Sequence, residues 1–206
     1  MMPDAAAAAA IQSPDMGRSY IAGYRQKFES KMRRSRRRAR RLKRRMTGNR
    51  LLDIGSNVGC LVGAGLELGL EATGVEVNLL LVEEAQRRFP EGRLLTGLFE
   101  DVELACESFD GVYCSEVIEH VVDTNRFLEA VRAAMAPGAI LYLTTPALRE
   151  FTKGSNPTRW RHFGAPDHKL YFLAPNLRHM LDKHGFGSVH FEFNFARGLK
   201  VFAQRL

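Results

Sequence analysis

From Arg50 onward, short runs of β-forming residues alternate with amphipathic stretches of helical period, and that alternation leaves few folds open. A strand followed by a helix and another strand builds a parallel sheet, because the crossover brings the chain back to the edge where it started. Strands are expected at 50–54 ("RLLDI"), 71–77 ("EATGVEV"), 92–97 ("GRLLTG"), 109–115 ("FDGVYCS") and 139–145 ("AILYLTT"). Helices are expected over 58–69, 78–89, 123–136 and 175–184. Pro90 ends the second of these, Pro137-Gly138 stops the third after a cap at Asp123 or Thr124, and Gly185 closes the last. "SVHFEFNF" and "LKVFAQRL" finish the chain as two strands joined through Arg197-Gly198, a hairpin signal. The expected fold is α/β: a Rossmann-like, doubly wound, mostly parallel sheet with an antiparallel C-terminal hairpin, preceded by a basic helix.

The basic helix is where charge becomes decisive. The net charge is +7, yet residues 18–50 carry 15 Lys and Arg against Glu29 alone, whereas 51–206 carry 15 basic and 20 acidic residues. Ile21, Tyr24, Phe28, Met32, Ser35, Ala39, Leu42 and Met46 recur at helical spacing, so the segment reads as an amphipathic helix with Gly48 as its stop. Three parts follow: a disordered Ala-rich start at 1–17, the helix at 18–48, and a globular domain at 49–206. Residues 31–45, "KMRRSRRRARRLKRR", hold 11 basic residues in 15. Like charges at i,i+4 oppose a helix, so a polyanionic partner is expected there. It is either an anionic membrane surface, into which the stripe would dip, or RNA. The Ile21, Tyr24, Phe28 stripe tilts this reading toward membrane; docking of the stripe on the core is the competing use. Three scattered cysteines, Cys60, Cys106 and Cys114, fit a reducing cytoplasm and no zinc spacing. Asp4 stands where a secretory leader carries positive charge, and no apolar run reaches the roughly 18 residues of a membrane span.

"DIGSNVG" follows the first strand, where sheets of this class bind ligands. A dinucleotide site needs G-x-G-x-x-G, and the three positions here are Gly55, Asn57 and Cys60. Asn57 replaces the glycine that lets backbone approach a pyrophosphate, and Cys60 replaces the one that packs helix on strand. Asp53 before the loop and Glu76 at the end of the second strand point instead to a nucleoside with a cationic, unphosphorylated tail.

On these residues the sequence resembles the class I S-adenosylmethionine-dependent methyltransferases. "LLDIGSNVG" is similar to their first motif and "TGVEVN" to the acidic end of their second strand. "SFDGVYCSEVIEHVVDTNRFLEAVRAAMAPGAILYLTTP" and "PDHKLYFLAPNLRHMLDKHGF" resemble blocks of the small-molecule branch that includes quinone-biosynthesis O-methyltransferases. The resemblance covers roughly 50–206. It implies S-adenosylmethionine as cofactor, framed by Asp53, Gly55, Ser56, Asn57 and Gly59, with Glu76 and Val77 at the ribose and Ser115 beyond the fourth strand. The usual adenine-facing Asp after the third strand is missing from "TGLFED", which leaves Leu98, Phe99 or Glu100 beside the base. The first motif usually has glycine where Asn57 stands.

"CSEVIEHV", Cys114 to Val121, places Glu116, Glu119 and His120 past the fourth strand. Three readings are open. Glu119 and His120 cap or orient the next helix; His120, with Glu119 and His168, is a general base for an acceptor hydroxyl; or the carboxylate–His pair holds a divalent cation. Cys114 reads as a buried structural thiol. The irregular stretch 147–170 reads as a substrate cover, with Trp160, Arg161 and His162 toward the acceptor. The function expected is methyl transfer to a small acceptor, most naturally at oxygen, in the cytoplasm or at the surface of a membrane. The competing reading is an RNA-associated methyltransferase, or an inactive cofactor-binding domain held on nucleic acid by the arginine helix.

Overall fold

A computed structural model describes residues 13–147, 168–192 and 198–206. Its strands are β1 (Arg50–Ile54), β2 (Glu71–Glu76), β3 (Arg93–Thr96), β4 (Phe109–Ser115), β5 (Met135–Pro146), β6 (Phe186–Phe191) and β7 (Gly198–Arg205). They form one sheet in the order β3-β2-β1-β4-β5-β7-β6. The order reverses between β1 and β4, which are parallel neighbours, and this opens the crevice where ligands bind in such sheets. β7 runs antiparallel to both β5 and β6. The C-terminal pair is thus inserted with its second strand inward, and β6 forms the edge.

Helix α1 (Pro14–Lys43), α2 (Cys60–Leu66) and α3 (Leu79–Arg88) contribute to the apolar clusters on one face; α4 (Thr124–Ala134) and α5 (Ala174–Lys183) build the core on the other. α1 starts earlier than its charge pattern predicts. Ser13 caps it by accepting from the Met16 N–H at 3.2 Å, Pro14 occupies the first turn, and Asp15 complements the positive helix end. Residues 14–17 therefore belong to the helix, not to the Ala-rich start. The helix ends at Lys43, ahead of Gly48, whose Cα instead lies against the Asp110 carboxylate; a Cβ there would come within 2.3 Å of Oδ2. Pro137-Gly138 likewise does not terminate α4. The helix stops at Ala134 and Met135 pairs at once with Phe109, so Pro137 and Gly138 fall in a register shift near the start of β5, with Gly138 at φ +78°.

The buried side of α1 is Met32, Ser35, Ala39 and Leu42. Small Ser35 and Ala39 let its backbone settle close to the sheet. Beneath it runs a row across four strands in register: Asp53 beside Tyr113, Tyr113 beside Tyr142, Tyr142 beside Phe202. Tyr142 and Phe202 stack at 4.2 Å, and Tyr113 meets Tyr142 edge-on at 5.4 Å. Arginines of α1 close over this row, with Arg38 5.6 Å from the Tyr113 centroid, and Arg45, just past its end, 4.2 Å from that of Phe202. The apolar residues Ile21, Tyr24 and Phe28 pack on Met32, Val58, Cys60 and Leu81. The stripe is thus spent on the core. Among the described residues no helix is long and apolar enough to cross a membrane.

This packing is testable at Ala39, which is fully buried. Ala39→Leu should destabilise the protein by about 1–3 kcal/mol through overpacking. Neighbouring exposed Arg40→Ala should stay within about 0.5 kcal/mol of the parent. Urea unfolding compares the two.

Candidate active site

The loop after β1 is built by backbone conformation. Gly55, Asn57 and Gly59 have φ of +73°, +49° and +75°. Asn is the side chain best tolerated in that left-handed region after glycine, so Asn57 keeps the turn that a glycine usually makes. It also caps locally, Oδ1 accepting from Val58 N–H at 2.9 Å. Gly55 sits against Val117, where a Cβ would approach the valine methyl to 2.5 Å. The close helix packing assigned to the Cys60 position is done elsewhere. Gly63 lies on the Phe89 ring and Gly65 on Leu51 and Ala72, and an added Cβ would meet Phe89 at 2.1 Å and Leu51 at 2.8 Å.

Glu76 ties this loop together. Its Oε2 accepts from Asn57 N–H at 3.0 Å and its Oε1 from Asn78 N–H at 3.1 Å. Burial raises its pKa, and the N–H bonds from Asn78, Asn57 and Val77 oppose the rise. Asp53 is buried in turn, and burial, then Glu76, pushes its carboxyl well up while the field of Arg38 pulls it back. Neither acid makes an ion pair among the described residues. Two desolvated carboxyls at the ends of adjacent strands favour a ligand that brings hydroxyl donors and a positive charge, and they oppose a pyrophosphate. The residues present thus fit the nucleoside with a cationic, unphosphorylated tail that the sequence suggests.

The start of α1 belongs to the same wall. Asn78 caps α3 by accepting from Leu80 N–H at 3.1 Å, while its Nδ2 donates to Ser13 O at 3.2 Å. Gly17 is buried against Asn78. Burial, with Cys60, Asp53 and Glu76 adding to it, pushes the Tyr24 hydroxyl up. Sequence reasoning missed Asn78 and Tyr24. The Asn just before "LLLVEE" is a readable helix cap, but nothing local says that its side chain also bonds a segment 65 residues away.

At the end of β4 the structure brings Glu119, His120 and His168 together, their ligand atoms lying within 4.8 Å of one another. The helix-cap reading of Glu119 and His120 is not what the structure has: Asp123 caps α4, accepting from Asn125 and Arg126 N–H at 2.9 and 3.1 Å. Glu119 is fully buried and His120 is 29% exposed. Thr145 Oγ1 donates to Glu119 Oε2 at 3.0 Å. The other oxygen, Oε1, has no hydrogen-bond partner among the described residues and faces His120 Nε2 at 4.0 Å. Burial, then Glu116, pushes the Glu119 carboxyl up to about 8. The rings of His120 and His168 meet edge to face at 4.7 Å. Ser115 Oγ shares a hydrogen bond with Thr144 Oγ1 at 2.7 Å, and Thr144 Oγ1 donates to Glu116. Cys114 is buried and its thiol is pushed up by burial, as suits a structural residue.

The Phe99 ring is buried, edge-on to Phe127 at 5.8 Å. Leu98 beside it is exposed, and Glu100 is partly so. Trp160, Arg161 and His162 lie outside the described residues.

The family described as "Methyltransferase domain" matches residues 24–190. A ubiquinone biosynthesis O-methyltransferase of Mesorhizobium japonicum is 32% identical over 102 residues, covering 48% of this chain and 41% of that protein. The chain spans less than half the length of that relative. A SAM-dependent methyltransferase of Archaeoglobus fulgidus superposes with a TM-score of 0.68 at 19% identity, covering 88% of this chain and 100% of the other. A TehB-like one from Corynebacterium glutamicum superposes at 0.69 and 14% identity, over 94% and 100%.

Glu76→Ala should weaken S-adenosylmethionine binding by about 1–3 kcal/mol, or roughly 5- to 150-fold, since it removes a buried acceptor and frees two backbone donors. Titration calorimetry reads this directly, and NAD should give no heat with either protein.

Proposed function

Because the chain belongs to the S-adenosylmethionine-dependent methyltransferase family, we propose that it methylates a small acceptor at oxygen, with His120 as the base. The bound cofactor supplies an electrophilic methyl on a positively charged sulfur. The protein then has two tasks: to hold the groups in line and to take up one proton. Asp53, Gly55, Ser56, Asn57 and Gly59 would hold the methionine end, Glu76 with Val77 the ribose, one of Leu98, Phe99 and Glu100 the base, and Ser115 the side toward the acceptor.

One observation carries the catalytic assignment: a partly exposed imidazole stands in front of a fully buried carboxyl at 4.0 Å. His120 would take up the proton that the acceptor hydroxyl gives up on methylation. Glu119 then faces the imidazolium with Oε1, while Thr145 fixes its other oxygen. The positive charge on His120 offsets the burial that otherwise keeps Glu119 protonated. The His168 ring packs edge to face on the imidazole at 4.7 Å.

A second reading has its own observation. Glu119, His120 and His168 are grouped closely enough to hold a metal ion, and a divalent cation there would lower the pKa of an acceptor hydroxyl. O-methylation is the chemistry named in the curated relatives, and a cytoplasmic setting suits the free thiols of Cys60, Cys106 and Cys114.

His120→Ala should lower the rate of methyl transfer to phenol and catechol acceptors by roughly 100- to 10,000-fold, with cofactor affinity unchanged. Radiolabel transfer and calorimetry measure the two quantities. Loss of cofactor binding in the variant would sink the base assignment. Activity lost on chelation and restored by a divalent cation would favour the metal reading. Cofactor binding without transfer to any acceptor would favour a non-catalytic binding domain.

A further inference from the structure

Sorting the cations of the arginine segment by what they touch separates two populations. On the flanks the guanidinium groups are held by the protein. Arg36 forms a two-pronged bond with Glu67, Arg41 pairs with Glu192, and Arg38 and Arg45 lie over Tyr113 and Phe202. Along the crest, Arg33, Arg37, Arg40 and Arg44 follow one another at helical spacing, all four exposed and in no ion pair among the described residues. The crest spans about 16 Å of helix.

We infer that this crest is a binding surface for the phosphodiester backbone of a nucleic-acid duplex, contacted without regard to sequence. Packing of the opposite face on the sheet already fixes the helix, so binding costs little ordering of the backbone. The row is entirely arginine, the side chain whose planar fork matches phosphate oxygens in pairs. The surface around the row is cationic too: on β7, burial and then Arg38, Arg41, Arg34 and Arg37 lower the pKa of Lys200. Such a field condenses counterions, whose exchange for phosphates drives association.

The use made of the apolar stripe separates nucleic acid from an anionic bilayer. A helix that binds a membrane surface inserts an apolar face, and here Ile21, Tyr24 and Phe28 are packed against Val58, Cys60 and Leu81. Among the described residues the large exposed apolar side chains, Tyr20, Leu79, Leu98, Val122 and Leu206, belong to the first turns of α1, to loops and a helix start following β2, β3 and β4, or to the residue after β7, not to the crest. The crest is also convex, with cations sloping away on both sides.

The test uses the full chain and an RNA duplex of about 20 base pairs. Fluorescence anisotropy is recorded from about 0.05 to 0.3 M salt, and the slope of log affinity against log salt is read. The expected result is binding that persists at about 0.15 M salt. Changing Arg33, Arg37, Arg40 and Arg44 together to Gln should flatten the slope by about 3 to 4, at about 0.9 for each phosphate no longer neutralised. The same four changed to Lys should recover most of the slope. A control set, Arg25, Lys27, Arg93 and Lys183 to Gln, removes equal charge elsewhere on the surface. Both glutamine sets should bind S-adenosylmethionine as the parent does. Equal losses in the two sets would overturn the inference, since net charge alone would then explain binding. So would sedimentation with phosphatidylserine vesicles at about 0.15 M salt in the absence of duplex binding, or binding to neither probe.

Discussion

A single carboxylate organises the ligand end of this molecule. Glu76 accepts one backbone N–H from the loop after β1 and another from the turn after β2, so the loop after β1 cannot shift without breaking a bond to a buried acid. Asn78 extends the network through its own side chain, capping α3 and bonding the carbonyl of Ser13 at the start of α1. Three segments far apart in sequence are thereby fixed to one group whose burial is itself unfavourable. The charge is tolerable because backbone N–H groups of Asn57, Val77 and Asn78 solvate it in place of water. In the proposed function a ribose would bring two more donors to that carboxyl, so selectivity for a hydroxylated ligand would follow from the same bonds that fold the site.

Much of this could be read from the chain. The strand-helix alternation, the acidic strand ends and the "GSNVG" turn all depend on local chemistry, and Phe109–Ser115 appears as a strand with the bounds its sequence suggests. What escaped depends on distance. The Ser13–Asn78 bond joins two segments that are unremarkable apart, and the edge-on packing of Phe99 is decided by Phe127 on a later helix. Pro137-Gly138 misled for a related reason. Those residues end helices and also begin irregular strands, and only the pairing of Met135 with Phe109 decides between the two. Glu119 and His120 were legible as a chemical pair. Their order, acid behind and imidazole in front, came only with the fold.

The arginine segment shows how one pattern can serve two purposes. Its apolar stripe resembles a membrane anchor while the helix is considered alone. In the folded chain that stripe closes the sheet beside α2, and several arginines act as caps on aromatic rings, their stems covering apolar surface. Charge density along a sequence therefore overstates the charge available to a partner. What remains available is the set of side chains that the fold leaves unused.

α1 is one uninterrupted helix of 30 residues, about 45 Å long. Near its beginning Gly17 must face Asn78, and toward its end Ala39 and Leu42 must face the aromatic row. Each residue added to a helix turns everything after it by about 100° and advances it by about 1.5 Å. The two contacts are therefore phase-locked. Between them the chain can exchange one exposed side chain for another with little consequence, but gaining or losing a single residue would turn either the glycine away from Asn78 or the alanine away from the sheet. In this stretch length is constrained far more tightly than composition.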